Sequence, residues 1–390
     1  LVMFHVFAAL IGLYVIGRFV PPLPVGTLWK WLIAFVILLV SQYHLVNRLF
    51  LGGMASPEVP FPVLAFGGWL FGAFILLAGF LLIRDIVSLF LWTAHKTGLI
   101  PVSIIFGYRW MLGLGMASLL LSAVGVWQAV RIPDVRRIDI TLEKLPAELD
   151  GLKLVQLTDL HASRLFQATW IRAVVNRTNA LNPDLIVITG DLVDGSTIDR
   201  APDVAPLADL KARLGVFAVT GNHEYYSNYI NWMKAFRRLG LNILGNEHVL
   251  IADRDRALVL AGVTDRVAAN FGLPEPDIGK ALSGAPGDLP VILMAHQPKG
   301  SSTYASAGVD LQLSGHTHGG QVLGIHWITR MANDGYVSGL YRVGDMQLYV
   351  SNGTGLWNGF PVRLGKPSEI TEIVLHTPAR HHPEPDRQKP

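Results

Sequence analysis

The first 130 residues carry six Lys or Arg and only two Asp or Glu, and this scarcity of charge constrains the chain more than any other feature. Four apolar stretches lie there, at 1–20, 28–46, 62–83 and 104–130. Each reaches about 19 residues, and at ~1.5 Å of rise per residue a helix of that length matches ~30 Å of hydrocarbon. The expectation is a transmembrane domain of four helices over 1–130. Trp29, Trp31, Trp92, Trp110 and Trp127 lie near the span ends, as an aromatic belt would place them. Beyond Arg84-Asp85 the third stretch continues over 85–96, which reads as an amphipathic segment along the interface. A cleaved signal peptide is a poor account of the first stretch, which lacks a basic start and is followed by three more. The expected location is a bacterial inner membrane, crossed several times. The basic residues of the two loop sets nearly tie, so the positive-inside rule leaves the side of the remaining chain open, with a lean to the extracytoplasmic side.

The other two thirds carry most of the 32 basic and 29 acidic residues and read as an ordinary, nearly neutral globular sequence. The pI of 9.0 therefore reflects the apolar third, and no nucleic-acid partner is expected. The chain has no cysteine, which excludes disulfides, thiol catalysis and thiolate metal sites. Residues 131–150 read as a linker with an edge strand. From 152 onward, short apolar runs at 152–157, 185–189, 216–220, 257–261, 291–295, 311–313, 347–350 and 370–375 alternate with helical stretches such as 167–180 and 229–239. This is the pattern of an α/β or α+β layered domain with buried strands, placed here at 151–377. Residues 265–290 read as a long irregular loop, and the polar, Pro-rich 378–390 as a disordered tail.

The chemistry gathers at the strand ends. Successive runs finish in Thr158-Asp159-Leu160-His161, Gly190-Asp191-Leu192-Val193-Asp194, Gly221-Asn222-His223-Glu224, His296-Gln297-Pro298 and Gly315-His316-Thr317-His318. Ligand groups cluster outside the carboxyl ends of strands in such sheets. Carboxylates, imidazoles and an amide oxygen without thiolate suit borderline divalent ions, Mn²⁺, Zn²⁺ or Fe²⁺. Two ions ~3.5–4 Å apart need a shared carboxylate and can clamp a phosphate between them.

These five blocks resemble the calcineurin-like metallophosphoesterases, whose pattern is D-x-H, G-D-x-x-D, G-N-H-[DE], a lone His and G-H-x-H. The resemblance implies a four-layer αββα sandwich of two mixed sheets between helices. It implies that Asp159, His161, Asp191 and His318 hold one ion, that Asp191 bridges, and that Asn222, His296 and His316 complete the second site. His223 is then the general acid or transition-state cation, Asp194 orients a neighbouring imidazole, and a metal-bound hydroxide is the nucleophile. The sequence around His296-Gln297-Pro298 and 351–364 is similar to a membrane-linked bacterial branch, which includes a UDP-2,3-diacylglucosamine pyrophosphatase, and to a vertebrate branch with transmembrane segments. Arg363 is a candidate for binding a substrate phosphate, and Trp357, with Leu356, Phe360 and apolar residues of 265–290, for lining an acyl groove. The expected activity is hydrolysis of a phosphodiester or pyrophosphate bond in a lipid-linked substrate at the bilayer. The alternatives are a UDP-2,3-diacylglucosamine hydrolase of lipid A synthesis and a non-catalytic membrane receptor or scaffold. Oligomeric state is left open.

Overall fold

The computed structural model describes residues 2–53, 56–100, 107–253 and 256–378. The first part is helical: α1 (Val2–Phe19), α2 (Thr27–Ser41), α3 (Tyr43–Phe50), α4 (Phe61–Lys96) and α5 (Tyr108–Val130). Among the described residues, α4 and α5 are long and apolar enough to cross a membrane. The expectation of four spans is corrected at the other two stretches. Among the described residues α1 is an apolar helix shorter than α4 and α5. The second stretch is not one rod: α2 and α3 meet at 66°, and the pair counts as a third span only if the bent unit crosses as a whole. The bend falls where the apolar run meets Ser41-Gln42, and it lets the amphipathic α3 bury His44 and Asn47. The start expected for the fourth stretch, 104–106, lies outside the described residues.

The third stretch continues through Arg84-Asp85 as a single helix of 36 residues, so the change of character expected there is not a change of backbone. Asp85 accepts a hydrogen bond from Tyr14 Oη at 2.9 Å and pairs with Arg18 at 2.9 Å and Arg84 at 2.6 Å, tying α4 to α1. On α5, Ser122 Oγ donates to the Trp69 carbonyl of α4 at 2.7 Å.

The remainder forms two six-stranded sheets from β1 (Asp134–Thr141), β2 (Leu152–Leu157), β3 (Leu185–Thr189), β4 (Val216–Val219), β5 (Asn242–Ile243), β6 (Glu247–Asp253), β7 (Arg256–Gly262), β8 (Val291–Met294), β9 (Leu311–Ser314), β10 (Gly339–Val343), β11 (Met346–Val350) and β12 (Glu369–His376). One sheet runs β1-β12-β2-β3-β4-β5 and the other β10-β11-β9-β8-β7-β6. Strands β2 to β5 are parallel, as are β7, β8, β9 and β11; β12 is antiparallel to β2, while β6 and β10 are antiparallel edge strands. All eight apolar runs read in the sequence are strands. The short β5 and the half-exposed edges β6 and β10 lacked the continuous apolar signal of a strand buried on both faces.

Leu154, Val187, Leu260, Ile292, Leu313 and Ile373 fill the layer between the sheets. The helices are α6 (Ala168–Ala180), α7 (Thr197–Val204), α8 (Asn222–Tyr226), α9 (Tyr229–Arg238), α10 (Ile278–Ala281), α11 (Ser301–Ser306) and α12 (His326–Ala332). The outer face of the first sheet (Val155, Ile186, Ile188) packs on Ile171 and Val174 of α6 and Trp232 and Phe236 of α9; Leu64 of α4 and Ala129 of α5 join the same cluster. The outer face of the second sheet (Val259, Leu293, Val350) packs on Ala281 and Tyr304 of α10 and α11. The region 265–290 contains a 3-10 turn over Arg266–Phe271 and α10, and is less irregular than expected because Asp265 and Asp277 cap both turns. Of the tail expected at 378–390, all but Pro378 lies outside the described residues.

Between the two regions runs the segment 357–364. Pro361 and Val362 occupy a notch cut into α4 and α5 by Gly68, Gly72 and Gly125. A Cβ at Gly68 would lie 2.3 Å from Pro361, and one at Gly72 or Gly125 2.5 Å from Val362. The Arg363 amide donates to the Gly125 carbonyl at 3.0 Å.

Candidate metal centre

The parallel strands β2, β3 and β4 of one sheet and β8 and β9 of the other end at a common edge, and their loops interlock there. The Asp159 amide donates to the Gly190 carbonyl and the His161 amide to the Asp191 carbonyl, both at 3.0 Å. At Gly190, φ is +97°, and a Cβ would lie 2.5 Å from the Gly221 nitrogen. Gly221 needs to be glycine for the same reason of space: a Cβ there would meet Asp191 Oδ1 at 2.2 Å.

Asp159, His161, Asp191, His316 and His318 all adopt positive φ, between 45° and 69°. Each such residue costs on the order of 1–3 kcal/mol and persists only where its surroundings impose it. Asp and His enter this region more readily than most residues, but their types alone do not assign it to these five positions.

Three groups of side chains converge: Asp159, His161 and His318; Asp191, His296 and His316; and His161, Asp194 and His223. Asp191 Oδ2 stands between the first two, 3.6 Å from His161 Nε2 and 3.2 Å from His296 Nε2. His161 Nε2 is 3.9 Å and His318 Nε2 3.6 Å from Asp159 Oδ1. These separations suit donors arranged around a common ion at ~2.0–2.2 Å. His161 Nε2 and Asn222 Oδ1 are buried without a hydrogen-bond partner, a costly arrangement unless a cation fills the space they face. The other ring nitrogens are committed: His161 Nδ1 donates to Asp194 at 3.1 Å and His296 Nδ1 to the Thr189 carbonyl at 2.8 Å, which fixes both tautomers with Nε2 directed inward. The residues present fit two divalent ions with Asp191 between them.

The charges are strongly biased. Burial opposes ionisation of Asp191, yet His296 and His223 hold its carboxyl well below the usual range. Asp194 is likewise held low against burial by His161 and His223. Burial, then the His296 charge, pushes His316 down to about 3, so its ring is neutral and able to coordinate. His223 is pulled the other way. Burial disfavours its cation, but Asp194 and Asp191 raise it to about 9. Its Nδ1 donates to Asp194 Oδ1 at 2.5 Å and its amide to Asp191 Oδ1 at 2.8 Å. Asp194 thus orients two imidazoles, His161 and His223.

Two residues were placed differently by the sequence reading. Arg363 is fully buried, neither a surface residue nor free for a phosphate: Nη1 donates to the His318 and Lys366 carbonyls at 3.0 and 3.1 Å, and Nη2 to those of Asn352 and Gly355 at 2.7 and 2.8 Å. It clamps the backbone behind His318. The groove expected from 265–290 does not form around Trp357. Leu356 is core, Phe360 packs on Phe71 of α4, Ala268 is buried, and Phe271 sits against Tyr225 and Tyr226. Trp357 stacks on His44 of α3 at 5.6 Å between ring centres and lies 6.4 Å from His223.

Two further residues carried no assigned role. Glu224 is fully buried and accepts from the amides of Asp191 at 3.1 Å, Leu192 at 2.6 Å and Gly221 at 2.7 Å, lashing the β3 and β4 loops together. Glu224 is the last position of the Gly221-Asn222-His223-Glu224 block, and its spacing from Gly221 is that of the acidic residue of a helix capping box. His44 shares a 2.8 Å hydrogen bond with the Gly359 carbonyl, a contact across 315 residues that no local pattern reveals.

Residues 152–320 match the family model described as calcineurin-like phosphoesterase. A cattle (Bos taurus) protein named transmembrane protein with metallophosphoesterase domain is 33% identical over 369 residues, 89% of this chain and 80% of that protein. The zebrafish (Danio rerio) protein of that name is 36% identical over 264 residues, 65% of this chain and 60% of its own length. An uncharacterized metallophosphoesterase of Helicobacter pylori is 38% identical over 253 residues, 64% of this chain and 66% of that one. The cattle alignment extends well beyond the strand-end motifs into the apolar helices, so the likeness holds for the arrangement as well as the centre. This chain belongs to the calcineurin-like metallophosphoesterase family and is a metal-dependent phosphoester hydrolase with two helices in its first third that are long and apolar enough to cross a membrane.

Proposed function

We propose that the protein hydrolyses a phosphodiester or pyrophosphate bond in a lipid-linked substrate held at the membrane surface. The observation that carries this reading is a cleft of about 840 Å³ beside the metal centre. One wall is His223, Tyr226 and Trp357; the other is Arg48, Gly52, Gly53, Ser56 and Glu58, from the end of α3 and its connection to α4. A substrate entering there lies against the helical region, and a lipid anchor raises its effective concentration by confining it to the same surface.

In this reading Asp159, His161, Asp191 and His318 hold one divalent ion, and Asp191, Asn222, His296 and His316 the other. Their oxygen and imidazole donors suit Mn²⁺, Zn²⁺ or Fe²⁺. When bound, such a pair supplies Lewis-acid polarisation of the phosphoryl group and activates a water for in-line attack. The protein's own residues do the rest. His223 lines the cleft with Nδ1 fixed by Asp194, so Nε2 delivers a proton to the departing oxygen. Asp194 holds that ring and His161 in register. Arg48 brings a cation to the far wall for a second anionic group of the substrate, and Trp357, stacked on His44 of α3, provides a flat apolar face on the side of the helical region, where a lipid chain would lie.

The test is competition kinetics with full-length protein in detergent micelles. A lipid-linked phosphodiester should be turned over with a higher kcat/KM than its deacylated, water-soluble head group, and Trp357→Ala should raise KM for the lipid substrate while sparing the soluble one. Equal efficiency on both substrates rejects the lipid-linked reading and leaves a hydrolase of soluble esters.

A further inference from the structure

We propose that the catalytic region itself enters the bilayer surface through residues 323–331, forming a membrane contact separate from the spanning helices. Leu323, Trp327, Ile328 and Met331 are 58, 56, 66 and 79% exposed. Elsewhere in the sheet region exposed large apolar residues stand apart, as Ile198 and Leu250 do, or pack on one another, as Tyr226 and Phe271 do; here four fall within nine positions and form a patch. Trp327, Ile328 and Met331 share one face of α12, and Leu323 precedes Trp327 by about one turn.

What covers the patch follows from its neighbours. Val322 and Ile325, the inward-facing residues of the same segment, pack in one cluster with Trp69 and Leu76 of α4, Val126 of α5 and Val362. The outward side chains of α5 at that end, Val124 and Trp127, are 45 and 60% exposed. The patch therefore continues the apolar surface of the two helices that are long enough to span. Val126 is four residues from the end of α5, or ~6 Å along its axis, which is the depth at which interfacial helices lie. The polar groups agree: residues 322–333 contain no Asp or Glu, and the Arg330 guanidinium lies 5.3 Å over the Trp327 ring, a pairing of aromatic and cation suited to the headgroup layer. The occupant is the lipid surface. Five residues upstream of Leu323 stands His318, so this contact also fixes the metal centre's height above the bilayer. None of this depends on the identity of the substrate.

The chain has no cysteine, so single spin labels can be placed cleanly. Ile328→Cys and Met331→Cys are labelled in full-length protein reconstituted into nanodiscs of phosphatidylcholine and phosphatidylglycerol. Leu250→Cys serves as the water-facing reference, on the edge strand β6 and 51% exposed. Labels at 328 and 331 should collide several-fold more with dissolved oxygen, relative to a water-soluble nickel chelate, than the label at 250. A ratio equal to that at 250 overturns the proposal. Shielding of 328 and 331 from both reagents also overturns it, in favour of a contact with a second copy of the chain. Leu323→Cys replaces either site if its label lowers the thermal transition of the protein.

Discussion

The two regions of this molecule differ in what they turn outward. In the helices, Met3, Phe7, Trp31 and Phe50 turn outward, 63–75% exposed, while Ser41, His44, Asn47, Ser118 and Ser122 are buried. In the sheets, Leu154, Ile188, Leu260 and Leu313 are wholly buried. The same physics produces both outcomes with different surroundings. Water drives apolar side chains inward, whereas hydrocarbon offers them no such incentive and leaves polar and small residues to make the contacts between helices. The comparison teaches where to look for function. The segment 357–364 and the cleft beside His223 lie where the two regimes meet, and residues from both regions build them.

The severest test of this division strikes the sheet side alone. Asp191→Asn should abolish turnover and lower bound metal, because an amide cannot neutralise two cations, yet it should leave the helical region intact. Metal content by mass spectrometry and residual rate decide it: near-normal activity with two ions retained rejects the bridging role. His223→Ala should keep both ions and lose ~10²–10⁴-fold in rate on a poor leaving group. The defect should shrink on p-nitrophenyl esters, and an equal loss on both substrates argues against proton delivery.

Smaller effects probe the scaffold and the junction. Glu224→Gln replaces a carboxylate oxygen that accepts buried amides with a donor, at a cost of about 1–3 kcal/mol, read as a lowered denaturation midpoint. An unchanged midpoint would mean the loops hold without it. For the junction, two glycines make a matched pair. Gly72→Leu intrudes on Val362 and Ser122 and should cost about 1–3 kcal/mol, whereas Gly113 has nothing within 4 Å of its missing Cβ. Gly113→Leu should be neutral or gain a few tenths of a kcal/mol in helix propensity. If both variants behave alike in thermal unfolding, the two regions do not pack as described.

Much of this was legible before any coordinates, and the reasons are specific. The strands β3, β4 and β8 are buried along their whole length, so they stand out as apolar runs, and the metal-binding residue types follow them directly. The convergence of Asp159, Asp191, His296 and His316 was legible because parallel strands bring their carboxyl ends to one edge. The positive φ at Asp159, His161, Asp191, His316 and His318 was not, since Asp and His adopt many conformations. Arg363 was misread because a guanidinium that binds four carbonyls has no signature distinguishing it from one that awaits a phosphate. The bend at Gln42 and the contact of His44 with Gly359 escaped because helix hydropathy records how apolar a segment is and not what it leans on. The charge cluster at Asp85 shows the same limit: its three partners come from two helices.

The place of β12 in the sheet bears on how the protein is made. The strand sits between β1 and β2, yet it is the last strand of the described chain to leave the ribosome. At ~5–20 residues per second, synthesis from Thr141 to His376 takes on the order of ten to fifty seconds. Throughout that interval α4 and α5 are already available for insertion, while β1 and β2 wait with open edges beside the membrane. When β12 arrives, it brings Glu369, which accepts from Tyr349 Oη at 2.6 Å and the Asn352 amide at 3.2 Å, while Thr354 links its carbonyl to the Thr158 amide next to Asp159. The nascent chain therefore holds both spanning-length helices and every metal-binding side chain before the strand that closes the first sheet between β1 and β2 is made.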